Sequence, residues 1–176
     1  MPRRSMPSAA KPREPLQGLT KSQLVFVGAV VLALIAGGAL LWWLRGTDAA
    51  RADPDDPSRV AAGHAVYAAR CASCHGDELQ GQPGWRERRA DGKLPAPPHD
   101  ASGHTWHHPD DQLFGMIKEG LGPYAPAGYQ SDMPAFAGIL TDREIAAVLA
   151  FIKSTWPPEI RKRQERISQQ AQEIKP

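Results

Sequence analysis

The longest apolar run in the chain is Leu24 to Leu44, LVFVGAVVLALIAGGALLWWL, 21 residues without a charge. As an α-helix it is about 31 Å long, enough to cross a hydrocarbon core of about 30 Å. The pattern therefore predicts one transmembrane helix over residues 24–44. Trp42 and Trp43 stand at its end, where indole rings favour the lipid–water interface. Elsewhere the apolar residues recur at shorter helical spacing. Ser58 reads as an N-cap, with a helix running toward Arg70 and Gly63 and Tyr67 four apart on one face. Leu113, Phe114, Met116 and Ile117 give an apolar side to a helix starting near His108. Pro109 suits its first turn, Asp110 and Asp111 suit its dipole, and Gly120 ends it. Thr141-Asp142-Arg143-Glu144 is a capping-box pattern, and the helix it opens carries Ile145, Val148, Leu149 and Ile152 before stopping ahead of Pro157. The elements predict an all-α fold preceded by one membrane helix.

Between the helices the chain is rich in Gly and Pro. Residues 76–102 and 121–138 read as loops that wrap something rather than build secondary structure of their own. The layout that follows is a disordered tail over 1–23, the span over 24–44, a Pro-broken linker over 45–57, a helical domain over 58–156 and a charged tail over 157–176. That last tail is either a frayed helix or disordered.

Charge adds topology to this picture. The chain carries 21 basic and 19 acidic residues. Arg3, Arg4, Lys11, Arg13 and Lys21 precede the span, which by the positive-inside rule keeps the N-terminus cytoplasmic and exports the rest. The domain is then expected on the periplasmic side of the inner membrane. A cleaved signal peptide is the competing reading, and Ala50-Arg51-Ala52 fits a small-x-small cleavage pattern. However, a signal h-region is about 7–15 residues and this run is longer. Ala29, Ala33 and Gly37 recur every four residues and suit a helix-dimer face, although small residues are common in spans. No dense basic stripe points to nucleic acid.

The candidate chemistry sits in five residues, Cys71-Ala72-Ser73-Cys74-His75. Cys-x-x-Cys-His is the attachment pattern of a c-type haem. Two thiols three positions apart on one turn can each form a thioether, and the following imidazole can bind the iron. A thioredoxin-like pair needs a βαβ pattern, and none is visible. A zinc site needs further ligands, and these are the only two Cys in the chain. The expected cofactor is one covalently attached haem c. For its sixth position the chain offers Met133, in a Gly/Pro-rich loop and followed by Pro134, as well as Met116 inside a helix and several His. His99, His104, His107 and His108 admit a second reading, a transition-metal site, against the bland one in which one His caps a helix and the others are solvated.

Residues 58–156 resemble the class I monohaem cytochromes c, small all-α electron carriers. Beyond the Cys-x-x-Cys-His pattern, Gly63 and Tyr67 are similar to the small-plus-aromatic pair that the family's first helix presents to its last, and Val148 and Phe151 to the partners on that last helix. Ala96-Pro97-Pro98-His99 resembles the family's Gly-Pro-Asn-Leu stretch, with His99 in place of the apolar residue. The resemblance implies that Pro97 offers its carbonyl to His75 Nδ1–H, that Met133 is the sixth ligand, and that Trp106 packs beside the haem with its N–H available to a propionate. It implies single-electron transfer by Fe(III)/Fe(II) cycling, with membrane redox complexes or soluble electron carriers as partners. Other classes are a haem peroxidase or oxidase subunit, which needs an open sixth site, and a metal-handling module built on the His99–His108 cluster.

Overall fold

The computed structural model describes residues 20–49 and 52–174. Most of the expected N-terminal tail, including Met1 and Met6, lies outside the described residues, as do Ala50 and Arg51 of the cleavage-like pattern. Among the described residues the secondary structure is helical, with no strand and one isolated bridge between Ala137 and Leu140. The chain divides into two units, Met1–Leu44 and Arg45–Pro176.

Helix α1, Lys21–Ala49, contains the apolar run. Lys21–Leu41 is long and apolar enough to cross a membrane, and none of it is buried against protein. The helix opens three residues before the uncharged run. Thr20 and Gln23 explain this: Thr20 N donates to Gln23 Oε1 at 2.9 Å and Gln23 N to Thr20 Oγ1 at 3.4 Å, a reciprocal cap that the Thr-x-x-Gln spacing permits. The side chains of Trp42 and Trp43, expected at the interface, lie outside the described residues.

The second unit is built on the crossing of α2, Pro57–Arg70, with α5, Asp142–Ser154. Ser58 does not cap α2. Asp56 does, its carboxylate accepting from the N–H groups of Ser58 and Arg59. Pro57 then takes the first helical position, where a missing N–H costs nothing. At the crossing, Gly63 faces the backbone of Ala147, and a Cβ at position 63 would overlap the Ala147 carbonyl. That absence lets Tyr67 pack on Phe151, ring centroids 5.3 Å apart, within a core of Tyr67, Ala72, Leu79, Val148, Ile152 and Trp156. Each fully buried apolar side chain there contributes about 1.5–3 kcal/mol. Helix α5 begins with the expected capping box, both reciprocal bonds present. It is buried nearly all round over Ile145–Ala150, because α4, Asp110–Glu119, covers its other side through Leu113 and Leu149.

Two expected segments differ. Residues 52–56, taken as linker, lie on the domain: Ala52 is buried with Leu113 and Leu149, and Asp55 accepts from Arg161 at 2.8 Å. The charged stretch after Pro157 is neither frayed nor free over most of its length. Pro158–Glu173 forms helix α6, with Gln164 and Ser168 as its buried residues.

Candidate haem site

The Cys-x-x-Cys-His turn is built by two short helices meeting at Cys71. Cys71 ends α2 and opens α3, Ala72–His75, a single turn closed by Cys74 N and His75 N donating to Cys71 O at 3.1 and 2.9 Å. Gly76, at φ +79°, terminates it, and Tyr67 Oη donates to the Gly76 carbonyl at 2.9 Å. Both thiols are unbridged, Cys71 half-buried and Cys74 exposed. Burial, and then the neighbouring Cys74, push the Cys71 thiol up to about 11, so it stays protonated.

His75 is buried, and its Nδ1 lies 2.8 Å from Pro97 O. A carbonyl only accepts, so the proton sits on Nδ1 and the Nε2 lone pair is left for a metal. Desolvation lowers the pKa of His75, with the Pro97 carbonyl acting in the opposite direction, and the ring is held neutral. Pro97 reaches this position because residues 79–82 run beside 96–99. Gln82 N donates to Ala96 O at 2.9 Å, and His99 N donates to Leu79 O at 2.8 Å. Gly81, at φ +67°, sits so close to Pro97 and Pro98 that no Cβ fits. Leu79 holds a left-handed φ of +60°, a strained conformation that its burial in the core sustains.

His99 stacks on His75, centroids 4.0 Å apart and planes 22° from parallel. Its Nδ1 lies 2.8 Å from Thr105 Oγ1, and its carbonyl accepts from Trp156 Nε1 at 2.8 Å. Desolvation, reinforced by the nearby His75 and His104, keeps its pKa well below the usual histidine value. Where the family resemblance expects an apolar residue, the chain thus places a neutral, anchored imidazole that packs as an apolar ring would.

Trp106 lies in a 3₁₀ turn, Thr105–His107, and packs against the same core cluster that Cys71 packs against. His107 stacks on it at 3.8 Å, and the Arg163 guanidinium of α6 lies 4.9 Å from its centroid. Its Nε1 is buried with no acceptor among the described residues. The remaining histidines do not converge. His104 stacks on Trp85 at 5.4 Å and meets His108 edge-on at 5.6 Å. Among the described residues no group of three or more His, Cys, Asp or Glu is arranged to hold a metal ion. Nor does a histidine cap α4: Pro109 is its N-cap, and Asp110 N donates to Ser168 Oγ of α6 at 3.0 Å.

Met133 is half-buried in the loop before α5, its N–H donating to Ser131 Oγ at 3.0 Å. It lines a cavity of about 450 Å³ with Lys93, Leu121, Tyr129, Ser131 and Ala135, a space whose walls include neither the two Cys nor His75. Cys71, Cys74, His75 and Pro97 are thus brought together, Trp106 packs against the core cluster that Cys71 also borders, and Met133 comes from a separate loop. Two neighbours escaped sequence reasoning. The Tyr67 hydroxyl closes the turn after His75, and Asp132, next to Met133, is bound by Arg89 and Lys93. The only sequence signal for the second was an acidic residue beside Met133.

The residues fit a covalently held haem. They offer two free thiols, a neutral imidazole oriented through Nδ1, and a buried indole N–H lacking an acceptor. No match was found among curated proteins or solved structures. The family model for cytochrome c matches residues 60–156, more than half of the sequence. The chain belongs to the cytochrome c family, whose members bind haem c covalently and act in electron transfer rather than catalysis.

Proposed function

We propose that this is a membrane-anchored, single-haem cytochrome of class I, passing single electrons between redox partners. The observation that carries the reading is the 2.8 Å contact between His75 Nδ1 and Pro97 O, within a Cys-x-x-Cys-His turn whose thiols are both free. Cys71 and Cys74 would hold the haem by thioethers, and His75 Nε2 and the Met133 thioether sulfur would be the protein ligands to its iron. The haem, when bound, supplies a one-electron Fe(III)/Fe(II) couple. The protein's part is to keep that couple in one ligand state. Pro97 fixes the proton and the plane of His75, which makes the imidazole a better donor. His99 backs that ring. The Met133 thioether, as a soft ligand, would favour the reduced state and take the position a small molecule would otherwise need. The orphan Trp106 N–H is available to a propionate.

Helix α1 is the anchor, supported by its length, its apolar composition and the basic residues before it. Held at the outer face of the inner membrane, the domain searches for membrane complexes or soluble carriers in two dimensions.

The test uses the full-length protein and Met133→Ala. Haem should remain on the chain through denaturing electrophoresis in both. In the variant the ferrous form should bind CO readily and the potential should fall. If the oxidised variant keeps the wild-type sulfur-to-iron absorption band, another residue is the sixth ligand.

A further inference from the structure

The loop that carries Met133 has little to hold it. No residue from 125 to 135 is buried, and the backbone bonds within it are local, such as Tyr129 N to Pro126 O at 3.0 Å. It is pinned downstream, where Phe136 N and Ala137 N donate to Ile117 O and Lys118 O of α4 at 3.0 and 2.8 Å. Among the described residues, the hydrogen bonds that residues 125–135 make beyond their own loop run from Asp132 to Arg89 and Lys93. Each cation takes one carboxylate oxygen. A cation–π contact of Arg88 with Tyr129, at 5.6 Å, lies alongside.

The cationic side is pre-formed. Residues 88–93 make a tight turn in which Arg88 Nη1 donates to Gly92 O at 2.6 Å and Arg89 N to Lys93 O at 2.9 Å. Lys93 N donates to Asp91 Oδ1 at 3.0 Å, and Asp91 Oδ2 also lies 3.3 Å from Arg89. These bonds aim Arg89 and Lys93 at a single carboxylate, about 40 residues away in sequence and adjacent to Met133. The two loops otherwise meet across open space. One cavity of about 450 Å³ is lined by Lys93 and Met133, and another of about 430 Å³ by Arg88, Gly92 and Tyr129.

We propose that the Arg89–Asp132–Lys93 clasp holds the Met133 loop in its ligating position, with Asp132 as a positioning residue for the sixth iron ligand. The part concerning the iron rests on Met133 being that ligand. The clasp is partly exposed, and salt screens such charges. A single exposed pair contributes little, but a network counts for more. Its loss should therefore raise the open fraction of the loop about fivefold.

The experiment compares the full-length haem-loaded protein with Asp132→Asn, Asp132→Glu and Met133→Ala. Two readouts are taken, CO association to the ferrous form and amide hydrogen exchange of residues 126–135. Asp132→Asn should speed CO association about fivefold and speed exchange in that loop, whereas Asp132→Glu should stay near wild type. High salt should open the wild type and leave Asp132→Asn unchanged. Unchanged loop exchange in Asp132→Asn overturns the clasp, whatever the ligand. Faster exchange with unchanged CO binding, while Met133→Ala binds CO fast, overturns its link to the iron. If Met133→Ala itself binds CO no faster than wild type, the ligand assignment has failed, and the exchange data still decide the clasp.

Discussion

Helices α5 and α6 follow one another in the chain and are held to the domain in opposite ways. α5 buries Ile145, Val148, Leu149 and Ile152, an apolar set at helical spacing that packs on α2 and α4. α6 buries Gln164 and Ser168. Gln164 Nε2 donates to Asp110 Oδ1 at 2.7 Å and to His108 O at 3.2 Å, and Lys153 of α5 closes on the Asp110 carboxylate at 2.7 and 2.9 Å. Ser168 accepts from both Asp110 N and Gln164 Nε2. One helix is placed by burial of area, which tolerates small shifts. The other rests Ile160 on the core and is otherwise placed by hydrogen bonds to a charged pair, which do not. The polar network therefore fixes where α6 lies, and with it Arg163 over Trp106.

The α2–α5 side should break hardest. Gly63→Ala puts a methyl into the Ala147 carbonyl, a backbone group with nowhere to go. Overpacking of this kind costs about 3 kcal/mol, to be read as a lowered midpoint in urea with an unchanged slope. A variant as stable as wild type would mean the helices cross less closely than described.

The polar side is next. Lys153→Met leaves the Asp110 carboxylate with neutral partners alone. Breaking a fully buried pair costs about 3–5 kcal/mol. Asp110 keeps a third of its side-chain exposure, which reduces the expectation to about 2 kcal/mol. The diagnostic feature is where the loss appears: amides of α6 should exchange faster while those at the α2–α5 crossing keep most of their protection. Equal loss in both would erase the distinction between the two helices.

What the sequence made legible follows the same division. Apolar spacing gave α5 and the Tyr67 face of α2, because burial of area repeats every helical turn. Cys71, Cys74 and His75 are legible because their geometry is local to one turn. Pro97 was reached only through family resemblance, since its approach to His75 depends on two loop segments running side by side. Capping was half legible. Thr141 and Glu144 follow the expected pattern, whereas Asp56 took the role expected of Ser58 because Pro57 suits the first turn better. α6 was not legible because the residues it buries most deeply, Gln164 and Ser168, are polar, and their links to Asp110 and Lys153 join residues far apart in sequence. The stacking of His99 on His75 and the Asp132 clasp were hidden for the same reason: each joins residues far apart in sequence.

The smallest effect sharpens the description of α5. The bonds from Thr141 N and Oγ1 hold the Glu144 carboxyl below its ordinary value of 4.5. A lowered carboxylate pKa stabilises the fold above the unfolded value, and that contribution is lost as pH falls through the folded one. Thr141→Ala keeps the backbone bond to Glu144 and removes only the hydroxyl one, so it should destabilise the fold slightly at neutral pH, and part of the difference from wild type should shrink as the solution is acidified below 4.5. Circular dichroism melts across that range measure it, and a difference independent of pH would mean the Thr141 hydroxyl adds nothing through Glu144.

The central claim is a protein-ligated haem that takes up one electron and does not bind substrates. The most direct measurement is a spectroelectrochemical titration of the haem-loaded protein, followed by exposure of the reduced form to CO. The account predicts a single reversible one-electron transition, haem retained on the chain after denaturation, and a reduced spectrum unchanged by CO. Rapid CO binding by the wild type, or a second haem transition in the same chain, would contradict it.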